Sequence, residues 1–135
     1  MTGVQTCALP ISPLLGRYTR PKAGIGTTLT DQTTDPPRRV RVDGVTEAPI
    51  PWPYHQLPGG KISLVLCGDL VRAVRTESGQ AVAAWWGVSR WVVQRWRRTL
   101  GVGRMTPGTQ AVWRRAGAAK LDAARRAKAR RMKQR

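Results

Sequence analysis

The prolines divide the chain and most constrain how it can fold. Nine of the ten prolines lie between Pro10 and Pro58, and only Pro107 follows. Proline has no amide hydrogen and its ring clashes with the preceding helical turn, so helices pack more easily in the second half of the chain. A length of 135 residues leaves room for one compact domain and little else. We therefore expect the folded part to begin after about Gly60.

Residues 12–60 show no sustained helical period and are rich in proline, threonine, aspartate and glycine. This composition predicts a disordered linker or arm. Within it, Arg38-Arg39-Val40-Arg41 is interpreted as a solvated loop, with contact to a phosphate backbone or a minor groove as the alternative. The stretch Ala48–Tyr54 is similar to a polyproline II segment, and the sequence leaves open whether Trp52 docks on the core.

Residues 1–11, MTGVQTCALPI, resemble the conceptual translation of a common sequencing-adapter oligonucleotide. We expect these residues to be an artefact and leave them out of the fold prediction. On this interpretation the natural start of the protein is unknown, and an upstream domain could be missing. A signal peptide is the competing interpretation, but the segment has no basic residue before its short apolar stretch, which contains Pro10.

Positive charge is concentrated in the second half of the chain. The sequence has 24 Lys and Arg against 7 Asp and Glu, a net charge of +17. Residues 1–60 have 6 basic and 4 acidic side chains, whereas residues 61–135 have 18 and 3, a net charge of +15. A chain of this size seldom has such a charge without a polyanionic partner, so nucleic acid is the predicted partner. The alternative is a basic surface that only maintains solubility or reflects an arginine-rich genome.

Several classes of function are disfavoured by the composition. Cys7, Cys67 and His55 are too few for a Cys/His zinc site within one chain, so we predict no metal. Cys67 is expected to be a small buried residue at the edge of the core. The seven acids are scattered, and we find no nucleophile–base pair and no phosphate-binding glycine loop, so we expect neither an enzyme nor a cofactor. No apolar run approaches the roughly 20 residues that span a bilayer, which favours a cytoplasmic, nucleoid-associated protein without a membrane partner.

From Gly68 onward the spacing of apolar residues becomes helical. Leu70, Val71 and Val74 place one apolar stripe on a first helix that should end near Thr76-Glu77. A second helix should follow, with Ser78 as its N-cap and Trp86 as its last residue. Gly87 can adopt a positive φ and should end that helix, Ser89 should cap the next, and the third helix should run from about Arg90 to Leu100, with Gly101 as its stop.

The segment Ala83–Trp96 resembles the bacterial helix-turn-helix pattern A-x-x-x-G-V-S-x-x-x-V-x-x-W. A small residue at Ala83 allows two helices to cross closely, Gly87 makes the turn, and Val88, Val93 and Trp96 fill the angle between the helices. The resemblance implies an all-α fold, with a small three-helix, homeodomain-like domain at residues 61–104. A basic C-terminal helix would follow at residues 105–135, and the proline-rich N-terminal arm would be disordered.

In this family the exposed side of the third helix enters the major groove of DNA. That implies base contacts from Arg90, Trp91, Gln94 and Arg95, since arginine can hydrogen-bond bidentately to guanine and glutamine to adenine. Packing of Trp91 against Trp52 or the first helix is the alternative for that residue. The null hypothesis is an ordinary two-helix corner with solvated arginines.

Thr106-Pro107 combines a capping residue with proline at a first helical position, which predicts a further helix. Residues 114–135 contain ten basic residues and one acid, Asp122. Binding to phosphates would release counterions, so this tail should add salt-sensitive affinity that is independent of sequence. A helix that is merely solvated is the alternative. The predicted phosphate contacts are Ser89, Arg97, Arg98, Arg104, Arg114, Arg115, Lys120, Arg125 and Arg126.

The sequence therefore predicts sequence-specific binding of double-stranded DNA, with transcriptional regulation as a suitable role. Thr106-Pro-Gly-Thr109 resembles DNA-binding modules attached to mobile-element nucleases, so one alternative is a detached targeting module of a recombinase or homing nuclease. Another alternative is an RNA- or ribosome-binding basic protein. The sequence shows no convincing dimer surface, and it leaves the oligomeric state and the DNA target open.

Overall fold

The computed structural model describes residues 13–133, so the predicted artefact at residues 1–11 lies outside the described part. Five short strands precede four helices. The strands are β1 (Thr28–Asp31), β2 (Arg38–Arg41), β3 (Gly44–Val45), β4 (Pro53–Gln56) and β5 (Ile62–Leu64). The helices are α1 (Gly68–Thr76), α2 (Gly79–Trp86), α3 (Arg90–Leu100) and α4 (Pro107–Lys133).

The prediction of an all-α fold with a disordered N-terminal arm is wrong. β1 and β2 form an antiparallel hairpin, and β3, β4 and β5 form an antiparallel sheet in that order. The strands have only two to four residues, too few for an alternating apolar pattern to stand out. Pro53 is the first residue of β4, a position where a strand tolerates the missing amide hydrogen.

Asp31 connects the β1–β2 hairpin to the segment before α1 through hydrogen bonds. Its side chain is fully buried at the end of β1. One carboxylate oxygen accepts a hydrogen bond from the Leu66 amide at 3.0 Å, and the other accepts one from the Thr33 hydroxyl at 2.6 Å. The Gln32 amide also donates to the Leu66 carbonyl at 2.9 Å. The hairpin is therefore held against the segment that leads into α1.

The helices lie where the caps and the apolar spacing predict them. The hydroxyl of Ser78 accepts from the Ala81 amide at the start of α2, and that of Ser89 accepts from the Val92 amide at the start of α3. Gly87 and Gly101 end these two helices with φ of 70° and 69°. The predicted start of α4 at Pro107 is confirmed. Local signals thus determined all four helices.

Trp52 connects the strands to the helical core. Its side chain is fully buried, its indole N–H donates to the Val65 carbonyl at 2.8 Å, and its ring meets that of Trp86 edge to face at 5.9 Å. The open question about Trp52 is answered: it docks on the core. Cys67 packs at the edge of this core as predicted but is only partly buried, and this burial raises the pKa of its thiol to about 11. The other buried members of the cluster are Leu64, Leu66, Leu70, Ala73, Val74, Val82, Val93 and Trp96.

The turn between α2 and α3 is fixed by the loop that precedes β4. The Ile50 amide donates to the Trp85 carbonyl at 2.8 Å, and a Cβ added at Gly87 would lie 2.8 Å from the Cβ of Ala48. Gly87 therefore meets two demands, a left-handed backbone and a close neighbour. Gly101 has nearly the same φ, but nothing lies within 4 Å of an added Cβ.

Alanine substitutions at Gly87 and Gly101 should distinguish the cost of the left-handed backbone from the cost of the contact with Ala48. We expect Gly101→Ala to lower the free energy of unfolding by about 1 kcal/mol, because an L-residue is disfavoured in the left-handed region. Gly87→Ala should cost about 1 to 2 kcal/mol more, since Ala48 and its loop must move. Urea unfolding of the two variants measures the difference, and equal costs would show that the Ala48 contact has no energetic effect.

Candidate nucleic-acid interface

Helix α3 has a buried side and an exposed side. Val93, Trp96 and Arg97 are buried, and Val92 and Leu100 are partly buried. At about 100° per residue, the exposed residues fall on the opposite half of the helix. We call these residues the outer face of α3: Arg90, Trp91, Gln94, Arg95, Arg98 and Thr99.

The four residues predicted to contact bases lie together on this outer face. Arg90, Trp91, Gln94 and Arg95 are all exposed. Trp91 is 74% exposed and Trp52 is fully buried, so the predicted alternative in which the two tryptophans pack together is not observed. An exposed tryptophan beside two arginines offers stacking and apolar contact next to hydrogen-bond donors. The surface has the residue types that contact base edges in the major groove.

The structure corrects the prediction for Arg97. Its side chain is 7% exposed, and its guanidinium donates to the Glu77 carbonyl at 3.1 Å. Burial lowers the pKa of Arg97 from its usual high value. A guanidinium enclosed in this way is unavailable to a phosphate, so Arg97 joins α3 to the end of α1. The sequence could not show this, because the carbonyl partner lies twenty positions earlier.

Arg98 lies in the middle of the outer face, although the sequence assigned it to phosphates. At about 100° per residue it projects between Gln94 and Trp91, so its guanidinium is directed to the same side as the base-contacting set. Ser89 lies at the N-terminal end of this face. The hydroxyl oxygen of Ser89 accepts from the Val92 amide at 3.3 Å, so its hydrogen can still be donated to a phosphate.

Helix α4 extends from the domain as an exposed basic helix. Only Gly108 in it is buried, and Trp113 and Leu121 are 64% and 53% exposed. Its 27 residues correspond to a length of about 40 Å. Basic residues occur on all sides of the helix, so it can approach phosphates from several directions. The predicted phosphate contacts in this region are all exposed: Arg104, Arg114, Arg115, Lys120, Arg125 and Arg126.

The first turn of α4 is seated on the junction between α1 and α2. The Thr106 hydroxyl donates to the Glu77 carbonyl at 2.8 Å and accepts from the Thr109 amide at 3.2 Å, which caps the helix. Gly108 comes so close to this junction that an added Cβ would lie 2.7 Å from backbone atoms of Glu77. The start of α4 is therefore fixed relative to α3, which reaches the same carbonyl through Arg97.

Glu77 is the centre of this arrangement, and the sequence indicated it only as a helix end. Its side chain is 1% exposed. Its carboxylate accepts from the amides of Leu15 at 2.9 Å and Gly16 at 3.0 Å, and from the Tyr18 hydroxyl at 2.6 Å. Burial and the neighbouring carboxylate raise the pKa of Tyr18. One signal for its role was available: it is an acid in an arginine-rich half, placed directly before the capping Ser78.

Asp35, Asp43 and Glu47 are exposed in the hairpin segments, and the other four acids hardly offset the charge of α3 and α4. Asp31 and Glu77 are buried and hydrogen-bonded, and Asp69 pairs with Arg72 at 3.3 Å and accepts from the Thr19 amide. Helix α3 contains no acid, and Asp122 is the only acid in α4. The exposed sides of both helices are therefore strongly positive.

Residues 13–133 contain neither a metal-binding cluster nor a membrane-spanning helix. No group of three or more His, Cys, Asp or Glu side chains in this range could hold a metal ion. Nor does any helix within it combine the length and the apolar character needed to cross a membrane. Comparisons of the chain with protein-family models, with curated proteins and with solved structures give no match.

Proposed function

We propose that the protein binds double-stranded DNA in a sequence-specific manner, with the outer face of α3 in the major groove and α4 along the phosphates. The observation that supports this most directly is the grouping of Arg90, Gln94, Arg95 and Arg98 on one exposed, acid-free side of a capped helix. A major groove about 12 Å wide admits a helix, and these side chains are long enough to reach base edges from it.

Each component would contribute differently to binding. Arginine and glutamine on α3 would discriminate between bases, at about 1 to 3 kcal/mol for each bidentate contact. The arginines and lysines of α4 would supply affinity that depends on salt and not on sequence. Transcriptional regulation is the role we propose for such a protein, since these contacts would suffice to occupy a site on DNA.

Selection of DNA duplexes from a random pool by the full chain tests this division. Arg90→Ala/Arg95→Ala should abolish the sequence enrichment and weaken binding to the selected site by about 100-fold or more, while binding to random duplex weakens far less. Truncation after Ala116 should instead weaken binding to all duplexes. It should also reduce the slope of the logarithm of the binding constant against the logarithm of salt concentration by several units. Arg20→Ala/Lys22→Ala, which removes two exposed charges from the segment beside α1, is the charge-matched control.

The result that would overturn the proposal is absence of duplex binding at 50 mM salt, or an enriched sequence that is unaffected by Arg90→Ala/Arg95→Ala. Binding to structured RNA that survives this double substitution and is lost on truncation would assign the protein to RNA through α4. Circular dichroism of each variant confirms that the fold is kept.

A further inference from the structure

A groove lies between the two β-hairpins and helix α3. It encloses about 470 Å³. The β1–β2 hairpin lines it with Thr34 and Arg38, the β4–β5 hairpin with Lys61 and Ser63, and the helical side with Ser89 and Arg95. We call it the hairpin groove. It exists only because residues that the sequence predicted to be disordered fold against the start of α3.

The hairpin groove combines positive charges and hydroxyl groups with an apolar part, which is formed by Leu57, Ile62, Leu64, Val88, Val92 and Trp96. Arg38, Lys61 and Arg95 reach it from three different elements, and no Asp or Glu lines it. Within residues 13–133, none of the three forms an ion pair with an acid. The remaining polar groups of the lining are mostly hydroxyls, which can donate to an anionic oxygen. The polar part of the lining favours an anion with several oxygens.

Arg95 relates this groove to the proposed DNA interface, because it belongs to the outer face of α3 and also lines the hairpin groove. A helix in the major groove has a sugar-phosphate strand on each side. Residues from Ser89 to Thr99 form one wall of the hairpin groove, so a strand that follows α3 would pass beside it. Arg38 and Lys61 would then face Arg95 across that strand.

We infer that the hairpin groove holds the phosphodiester backbone of one DNA strand beside α3, so that the N-terminal hairpins are part of the DNA interface. This inference rests on the proposed function. Phosphates have the charge and the acceptor oxygens that the lining requires, and guanidinium groups bind them bidentately. The groove thus adds contacts that are independent of base sequence.

The test compares two pairs of charges on the hairpins in the full chain. Arg38→Gln/Lys61→Gln should weaken binding to selected and random duplexes alike by about tenfold, and should reduce the salt slope by about 2, as expected for two lost phosphate contacts. The selected sequence should not change. Arg39→Gln/Arg41→Gln removes two charges from the same strand β2, but from positions that do not line the groove, and should have little effect on either quantity.

Two outcomes would overturn the inference while the proposed function stands. One is that both double substitutions weaken duplex binding equally, which would indicate a general effect of charge. The other is that Arg38→Gln/Lys61→Gln leaves the duplex affinity unchanged, while the melting temperature of the wild type rises in millimolar inorganic phosphate or deoxyadenosine monophosphate. That result would assign the groove to a small phosphate ligand. If the wild type does not bind duplex at all, it is the proposed function that fails.

Discussion

Replacing Gly108 with alanine is expected to lower the free energy of unfolding by about 3 kcal/mol and to detach the start of α4 from the rest of the domain. The added Cβ would lie 2.7 Å from the Cα and the carbonyl carbon of Glu77, and closer still to the Ser78 amide. These are backbone atoms of a helix junction and cannot swing aside, so overpacking costs more here than beside a flexible side chain. Urea unfolding gives the change in stability.

Gly117→Ala provides the matched control in the same helix. Nothing lies within 4 Å of a Cβ added at this position, and alanine is a better helix former than glycine by about 1 kcal/mol. Gly117→Ala should therefore leave the protein as stable as the wild type or slightly more stable. If Gly108→Ala behaves in the same way, α4 is not seated on the α1–α2 junction.

Glu77→Gln should have an effect of similar size, about 3 kcal/mol of lost stability. The buried carboxylate accepts hydrogen bonds from two amides and one hydroxyl. A glutamine would place its own N–H₂ group against one or more of these donors, which leaves buried polar groups without partners. The N-terminal segment around Leu15 and Tyr18 should come loose first, and faster hydrogen exchange at the Leu15 and Gly16 amides would detect it.

Asp69→Asn is the control for Glu77→Gln. Asp69 also accepts from an amide of the N-terminal segment, that of Thr19 at 2.7 Å, but its side chain is 32% exposed and water can replace a lost partner. The expected cost is below about 1 kcal/mol. Equal costs for the two substitutions would mean that the buried position of Glu77 contributes nothing beyond an ordinary surface contact.

The helices were predictable because their signals are local. Ser78, Ser89, Gly87 and Gly101 each act within one turn of the chain, and their spacing determined where α2 and α3 begin and end. The strands were not predictable in this way. Their pairing joins residues beyond a single turn, such as Thr28 and Arg41 across the β1–β2 hairpin, and no strand is longer than four residues.

The candidate interface also has one part that the sequence predicted and one part that it did not. The grouping of Arg90, Gln94 and Arg95 follows from helical spacing and from the apolar residues opposite them, so the sequence was sufficient. The burial of Arg97 depends on the Glu77 carbonyl just after α1, and the hairpin groove depends on turns of two hairpins that meet α3. Both require the tertiary fold, and prolines in the hairpin segments had favoured the opposite expectation of disorder.

Arg97 and Thr106 donate to the same Glu77 carbonyl, so the first turn of α4 is held in place while the rest of the helix extends from the domain. A helix about 40 Å long covers the length of about 12 base pairs of B-form DNA. A tilt of about 10° at its first turn would displace its far end by about 7 Å, or two base-pair steps. Substitutions at the α1–α2 junction, far from any nucleotide, would thus change which phosphates the end of α4 meets, and the angle set at Glu77 would determine the size of the footprint.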